Sequence, residues 1–229
     1  MNRPSIHLDP LPVYKSGRRL YSAFVYSNDL VITGGGGVEL VALTNVATGP
    51  GQLYLDAAAF GIASPDGRWM IKRSEWENAL GVNEMPLPHY YKGIVTGADV
   101  MNVAFTPRGD QLAVATRAGL EFYDATTWER AGLLPMPMDR YASLMFAPDG
   151  RGLWVSRDSR SAGLYDRRTL NEVLPMPTGT LPLALSPDGR NLAVSVEARR
   201  LQVWDLVELR RQFRDLGVLG KSVHKGSGR

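Results

Sequence analysis

One turn recurs four times along this chain at nearly even spacing. Its copies read Ser-Pro-Asp-Gly-Arg, Thr-Pro-Arg-Gly-Asp, Ala-Pro-Asp-Gly-Arg and Ser-Pro-Asp-Gly-Arg, and their prolines are Pro65, Pro107, Pro148 and Pro187. Proline presets φ for an early turn position, and glycine supplies the position that needs a positive φ. A hairpin turn that recurs about every forty residues predicts one four-stranded unit per repeat.

Apolar strand patterns flank each turn, and their order is clearest around the second turn. Residues 101–106 and 111–116 lie on either side of that turn, a third strand covers 120–124, and an outer strand ends at Leu134. The same order around the last two turns predicts strands at residues 143–147, 152–156, 164–166, 183–186, 191–196 and 201–205. Residues 60–64 and 69–74 are also clear strand patterns, and a weaker copy of the strand order precedes them at residues 22–27, 30–33 and 38–43.

Two further markers follow the same period. The motif Leu-Pro-Met-Pro begins at Leu134 and again, one period later, at Leu174. An aspartate closes each third strand at a nearly constant distance from the turn proline, at Asp124, Asp166 and Asp205. Markers that share one period predict an all-β fold, a β-propeller of about five four-stranded blades.

The ends of the third strands resemble the Trp-Asp ending of WD repeats. They read Phe-Tyr-Asp, Leu-Tyr-Asp and Val-Trp-Asp at residues 122–124, 164–166 and 203–205. The Ser-Pro-Asp-Gly-Arg turn is similar to one common in bacterial members of that family. Residues 204–217 resemble the final helix of bacterial WD-repeat proteins, some of which are fused to protein kinases or other signalling domains. The resemblance covers about residues 20–217 and implies the fold, whereas it is unspecific for function.

The chain departs from the family pattern at the start of each repeat. The Gly-His pair that usually opens a WD repeat is missing, and the three histidines are His7, His89 and His224. The hydrogen-bonded tetrad of many WD blades therefore cannot form. We expect these blades to depend mostly on apolar packing.

The closure of the ring has two readings. The last repeat shows three strands and then a helical period over residues 206–217, a helix that we expect to cover the last blade or the bottom of the ring. Residues 4–14 are expected to supply the missing outer strand, where prolines are tolerated. The alternative is an incomplete arc, either a truncated seven-bladed ring or one that a second chain completes.

The sequence also predicts the bounds of the blades and of the domain. The predicted blades cover residues 20–56, 57–97, 98–137, 138–177 and 178–206 of one domain over 1–217, and a disordered tail follows at 218–229.

Composition excludes several classes of function. The chain has no cysteine, which rules out disulfides, thiolate catalysis and cysteine-ligated metals. The net charge is only +3, and four arginine pairs at 18–19, 167–168, 199–200 and 210–211 are dispersed, so nucleic acid is not an expected partner. No apolar run approaches the roughly 20 residues that cross a bilayer, and no secretory signal is predicted. We expect a cytoplasmic protein, monomeric if the ring closes and otherwise paired with a copy or a second chain.

The usual catalytic constellations are not predicted. The glycines 34–37 lie between two strands and favour a hairpin loop over a phosphate cradle. His89 has no second histidine nearby, so it is expected to be a loop or edge residue. Asp66, Asp149 and Asp188 repeat at one turn position, which favours a structural role in which aspartate accepts hydrogen bonds from its own backbone. We therefore expect no catalytic residue, no cofactor and no metal.

Four aromatic residues are the candidates for a partner surface. Tyr90, Tyr91, Trp128 and Tyr141 are expected to be exposed, and aromatic residues are enriched at binding hot spots. Packing in the core or at a blade edge is the alternative for each. The predicted function is a non-catalytic, WD-repeat-like scaffold for protein–protein interaction. Two alternatives stay open: a calcium-dependent hydrolase or small-ligand binder that uses the central channel, and an incomplete fragment of a seven-bladed propeller.

Overall fold

The computed structural model of the chain describes residues 20–26, 29–34, 37–42, 58–74, 78–85 and 89–215. Within these residues it contains five antiparallel sheets and one helix. The first two sheets are built from β1 (Leu20–Tyr26), β2 (Asp29–Gly34) and β3 (Gly37–Ala42), and from β4 (Ala58–Ala63), β5 (Trp69–Ser74), β6 (Ala79–Glu84) and β7 (His89–Val95). The third sheet contains β8 (Val100–Phe105), β9 (Gln111–Thr116), β10 (Gly119–Asp124) and β11 (Arg130–Pro135). The fourth contains β12 (Ser143–Phe146), β13 (Gly152–Ser156), β14 (Ala162–Asp166) and β15 (Glu172–Pro175). The fifth contains β16 (Thr180–Leu185), β17 (Asn191–Val196) and β18 (Arg200–Asp205), and α1 (Leu206–Asp215) follows it.

The chain divides into two compact units, residues 1–61 and 62–229. In the first unit, β1, β2 and β3 form a meander in chain order. Gly34, the last residue of β2, pairs with Gly37, the first residue of β3. This confirms that the glycine run connects two strands. The predicted closing strand at 4–14 and the tail at 218–229 lie outside the described residues, and the single domain over 1–217 stays a prediction.

In the second unit, sequential strands pair in the order that the repeat predicts. The third sheet has the order β8-β9-β10-β11, the fourth repeats it as β12-β13-β14-β15, and the fifth stops after β16-β17-β18. Among the described residues the last repeat has three strands and no fourth, as the sequence predicts, because β18 continues directly into α1. Every sheet of this unit has the Pro-Gly turn at one end, which we call the turn end. We call the opposite end the loop end.

The turn itself has the predicted backbone. Gly67, Gly109, Gly150 and Gly189 have φ between 68° and 74°. Side chains of the turns hold this conformation through hydrogen bonds to the backbone two residues on. The amides of residues 68, 151 and 190 donate to Asp66, Asp149 and Asp188 at 3.1, 2.9 and 3.0 Å. The structural role predicted for these aspartates is confirmed.

Apolar residues on the second strands fill the space between consecutive sheets. The second strands of the third, fourth and fifth sheets each contribute a Leu-x-Val pair that is at most 1% exposed: Leu112 and Val114, Leu153 and Val155, and Leu192 and Val194. Between the third and fourth sheets, Leu120 and Phe122 of β10 pack with Leu153, Val155 and Tyr165. Between the fourth and fifth sheets, Trp154 packs with Leu192 and Val194, and Leu206 of α1 closes that cluster. The helix therefore covers the last sheet, as the sequence predicts.

The aspartate that ends each third strand caps the segment that follows. Asp124 accepts hydrogen bonds from the amides of Thr126 and Thr127 at 2.8 and 2.9 Å, and Asp166 does the same in the next repeat. In the last repeat the amides of residues 207 and 208 donate to Asp205 at 2.9 and 3.0 Å. One repeat position thus caps two turns and the N-terminus of α1.

Candidate ligand-binding groove

The turns of consecutive repeats lie against one another in a row. A Cβ atom added to Gly150 would lie 3.6 Å from Pro107 of the preceding turn, and one added to Gly189 would lie 3.2 Å from Pro148. One added to Gly109 would lie 3.1 Å from the Asp66 carboxyl group. Since these glycines also need a positive φ, the turn end has little tolerance for a larger residue. The row of turns is the framework of the candidate site.

A groove of about 820 Å³ runs along this row between the turns of the third and fourth sheets. It is lined by Thr106, Pro107, Arg108, Asp110, Gln111, Pro148, Asp149, Gly150, Arg151, Asp166, Arg167 and Arg168. A second cavity of about 280 Å³ lies between the fourth and fifth sheets. Both cavities share Pro148, Asp149, Arg151 and Asp166 as lining residues, so they adjoin. The larger volume falls within the range of ligand-binding pockets, roughly 300–1,000 Å³.

The carboxylates of the groove accept hydrogen bonds from the protein itself. Asp166 accepts from the amides of Thr169 and Arg168 at 2.7 and 3.0 Å and from the Thr169 hydroxyl at 2.9 Å. These hydrogen bonds hold the pKa of Asp166 below its usual value, and the bond from the Thr169 amide has the largest effect. Asp149 accepts from the amide of Arg151. The Thr106 hydroxyl donates to Asp110 at 2.5 Å.

The arginines of the groove are placed differently. Arg167 is half-buried, and its guanidinium lies 3.8 Å from the Asp110 carboxylate. Arg108, Arg151 and Arg168 are exposed, and none of them is in ion-pair contact with a carboxylate in the described part of the chain. The charge of Arg168 still favours the ionised form of its neighbour Asp166. Four arginines and three aspartates line the groove, which leaves one net positive charge. The groove therefore presents guanidinium donors to solvent, whereas each of its three aspartates has one oxygen, Oδ1, engaged in hydrogen bonds with the protein.

From the sequence, Arg108, Arg151 and Arg168 are expected to be solvated charges, and the groove that they line is not predicted. Arg151 and Arg108 belong to the repeated turns, and Arg168 belongs to one of the four arginine pairs. Aligning the repeats on their turn prolines places all three at the turn end, which is the signal that was available. What the alignment lacks is the contact between one turn and the next, since that contact forms only when the sheets stack.

The four aromatic candidates do not form one surface. Tyr90 and Tyr91 lie near the turn end of β7 with 67% and 52% of their surface exposed. Tyr141 is 53% exposed, but it precedes β12 at the loop end of another sheet, where the Arg140 guanidinium lies over its ring at 4.9 Å. The expected exposure is confirmed for these three tyrosines. A single contact patch that includes them all does not form.

The expectation that Trp128 is exposed is wrong. Only 2% of its surface is exposed, because its ring packs edge-on against Trp69 at 5.2 Å and against Phe105 at 6.4 Å. Trp69 in turn contacts Tyr91 at 5.1 Å. Trp128 has a φ of 58°, in the left-handed region that residues other than glycine seldom adopt. The alternative of core packing is therefore the correct one for this residue.

Glu121 is a buried carboxylate outside the groove, and it too is engaged. It is 1% exposed on β10, where it accepts from the amide of Gly97 at 3.0 Å and from the Tyr123 hydroxyl at 2.5 Å. Burial and the bond to Glu121 raise the pKa of Tyr123 far above its usual value. The last repeat has the neutral counterpart of this pair, in which Trp204 Nε1 donates to Gln202 at 3.0 Å. The same hydrogen bond between side chains two residues apart thus occurs at equivalent positions of two repeats, and we assign it a structural role.

The remaining sequence candidates are placed as follows. His89 is the first residue of β7 and pairs with Glu84, which confirms its position on an edge strand. No group of three or more His, Asp or Glu side chains suited to a metal ion occurs in the described ranges. Within the same ranges, no helix is both long and apolar enough to cross a membrane.

Comparisons with known proteins identify the fold and no family. No family model matches the chain, and no curated protein matches it. The structure is similar to a solved structure of hydrazine synthase from Kuenenia stuttgartiensis, with a TM-score of 0.62 and 15% sequence identity over 84% of this chain and 67% of that one. At this identity the likeness concerns the arrangement of strands alone, and one fold serves many functions.

Proposed function

We propose that this chain is a non-catalytic, WD-repeat-like scaffold and that its turn-end groove binds a segment of a partner protein. The observation that carries the proposal is the placement of the polar groups. The aspartates hold the turns through hydrogen bonds, whereas the exposed Arg108, Arg151 and Arg168 face the groove without an ion pair to any carboxylate of the described residues. Arginine is a residue enriched at binding hot spots.

The fold behind this proposal is a cytoplasmic propeller of five blades over residues 1–217. Its support is the period of the turns, together with the apolar clusters that join consecutive sheets of the second unit. We expect a monomer with one cooperative thermal transition. Light scattering on a sizing column, with a thermal melt of the same sample, checks this. A dimer or an aggregate without a sharp melt would favour the incomplete arc.

A displayed library of random peptides tests the binding function. We expect the wild-type chain to enrich peptides that the variant R108S/R168S no longer retains. Both arginines are exposed and without an ion pair in the described part of the chain, so their replacement is expected to change stability by less than about 0.5 kcal/mol. The matched control is R140S/R160S, which removes the same charge from exposed residues at the loop end. Peptides that bind both variants equally would contradict the proposal.

The hydrolase alternative has its own test. A calcium-dependent enzyme would show a change in melting temperature when calcium is added or chelated, because a ligand that binds only the folded state stabilises it. The scaffold proposal predicts no such change. Hydrolysis of an ester or lactone that disappears on replacing a carboxylate of the central channel would overturn the scaffold proposal.

A further inference from the structure

Resting on the proposed function, we infer that the groove takes an extended acidic segment of a partner protein and that one apolar side chain of this segment enters the adjoining cavity. Two properties of the turn end carry this inference. The first is the net positive charge of the groove with its exposed arginines, and the second is the group of apolar side chains that line the second cavity beside Asp188 and Arg210.

The charged groups favour an acidic ligand over a basic one. Four arginines and three aspartates line the groove, and Asp149 and Asp166 each accept hydrogen bonds from amides through one oxygen, Oδ1, so the net positive charge of the groove disfavours a basic ligand. The guanidinium groups of Arg108, Arg151 and Arg168 each offer donors in a planar fork that matches a carboxylate. A ligand with carboxylates therefore satisfies the groove without displacing any bond within it.

The second cavity favours an apolar side chain. Among its lining residues are Trp154, Leu164, Tyr165, Leu185 and Leu206, which come from β13, β14, β16 and α1. Val173 of β15 also lines it and keeps 48% of its surface exposed. A pocket of this size with one exposed aliphatic wall fits a leucine-sized side chain and would bury apolar surface on both partners.

The shared wall makes one segment the simplest occupant of both cavities. The wall between the two cavities is formed by Pro148, Asp149, Arg151 and Asp166, which line both of them. A peptide that follows the row of turns therefore passes from the arginines to the apolar pocket. An isolated anion would occupy the first cavity alone. The length of the combined site therefore points to a peptide segment.

Fluorescence anisotropy with defined probes tests the inference. The first probe is a short fluorescein-labelled peptide of glutamate and serine with one central leucine. The second has lysine in place of every glutamate, and the third is acidic with glycine in place of the leucine. We expect the first probe to bind, the second not to bind, and the third to bind at least about tenfold more weakly. Binding of the first probe should weaken as salt increases.

The variants locate the site. R108S/R168S is expected to weaken the first probe at least about tenfold, because each lost bond is charge-assisted. The control R140S/R160S is expected to change binding less than about twofold, since its charges lie beyond the Debye length at the opposite end of the sheets. Equal weakening by the two double variants would overturn the inference, as would equal binding of the acidic and lysine probes.

Failure of this inference is separable from failure of the scaffold. If the peptide library enriches neutral or basic sequences that depend on Arg108 and Arg168, the acidic specificity is wrong and the binding function stands. If no peptide of any charge depends on the groove, both are wrong. If the leucine and glycine probes bind alike, the apolar anchor is wrong.

Discussion

At the scale of single residues, one aspartate position does the same work in three repeats. Asp124 and Asp166 cap turns, and Asp205 caps α1, in each case by accepting hydrogen bonds from amides two and three residues on. The residue before this aspartate is a buried tyrosine in two repeats, Tyr123 and Tyr165, and the partly buried Trp204 in the last. The sequence shows the spacing of these aspartates, and their chemistry follows from it.

Acid should destabilise the chain partly through these caps. Hydrogen bonds from backbone amides lower the pKa of both Asp124 and Asp166. The amide of Thr127 has the largest effect on the pKa of Asp124, and the amide of Thr169 has the largest effect on that of Asp166. A carboxyl whose pKa is lower in the folded state stabilises the fold above its unfolded pKa, about 4, and this stabilisation is lost as pH falls through the folded value. We expect Asp166→Asn to be less stable than wild type at pH 7 and to lose less stability between neutral and acid pH. Urea unfolding at a series of pH values checks this, and parallel curves for the two proteins would contradict it.

Trp128 and Tyr141 give a second test at this scale, because the sequence predicts the same exposed role for both. Trp128→Ala should cost about 3–5 kcal/mol of the free energy of unfolding, since it empties the space between Trp69 and Phe105. Tyr141→Ala should change that free energy by less than about 0.5 kcal/mol. Urea unfolding of the two variants decides the point. Similar losses would mean that Trp128 is not the buried link between the second and third sheets.

At the scale of elements, the row of turns positions the groove. Gly189 has a φ of 69° and leaves 3.2 Å between an added Cβ and Pro148. Gly189→Ala is therefore expected to destabilise the chain by about 1–2 kcal/mol, because a side chain in the left-handed region is strained. The matched control is Gly132→Ala on β11, where the added Cβ would meet only Phe122 at an ordinary 3.8 Å. Denaturant midpoints that fall equally for both would show that the turn does not need its glycine.

The sequence predicts some elements better than others, and the reasons are physical. The second strands β9, β13 and β17 have the predicted bounds to the residue, because each lies between a turn glycine and a hairpin and contributes a Leu-x-Val pair to the core. β16 begins earlier than predicted, at Thr180. It contains Pro182, and a register shift between Pro182 and Ala184 allows this edge strand to accommodate the proline ring.

The candidate site was out of reach of the sequence for a different reason. Whether Trp128 is buried and whether Arg108 and Arg151 line one groove depend on how one sheet stacks on the next. The period of the repeat gives the order of the sheets, but side chains that meet between repeats are a whole period apart along the chain. No local pattern encodes such a pair.

At the scale of the whole molecule, the account assigns stability and binding to different groups at the same end of the sheets. Aspartates, glycines and prolines hold the turns in a row, and in the function that we propose the arginines beside them contact a partner. Fold alone does not select this function, because the match to hydrazine synthase concerns the fold alone. The claim therefore depends on where a ligand binds.

Amide hydrogen exchange with and without the acidic, leucine-containing peptide tests that claim most directly. The account predicts slower exchange on binding in residues 106–111, 148–152 and 166–169 at the turn end, together with the start of α1. It predicts no change in residues 136–142 and 157–161 at the loop end. Protection confined to the loop end, or spread evenly over the sheets, would contradict the turn-end groove as the binding site.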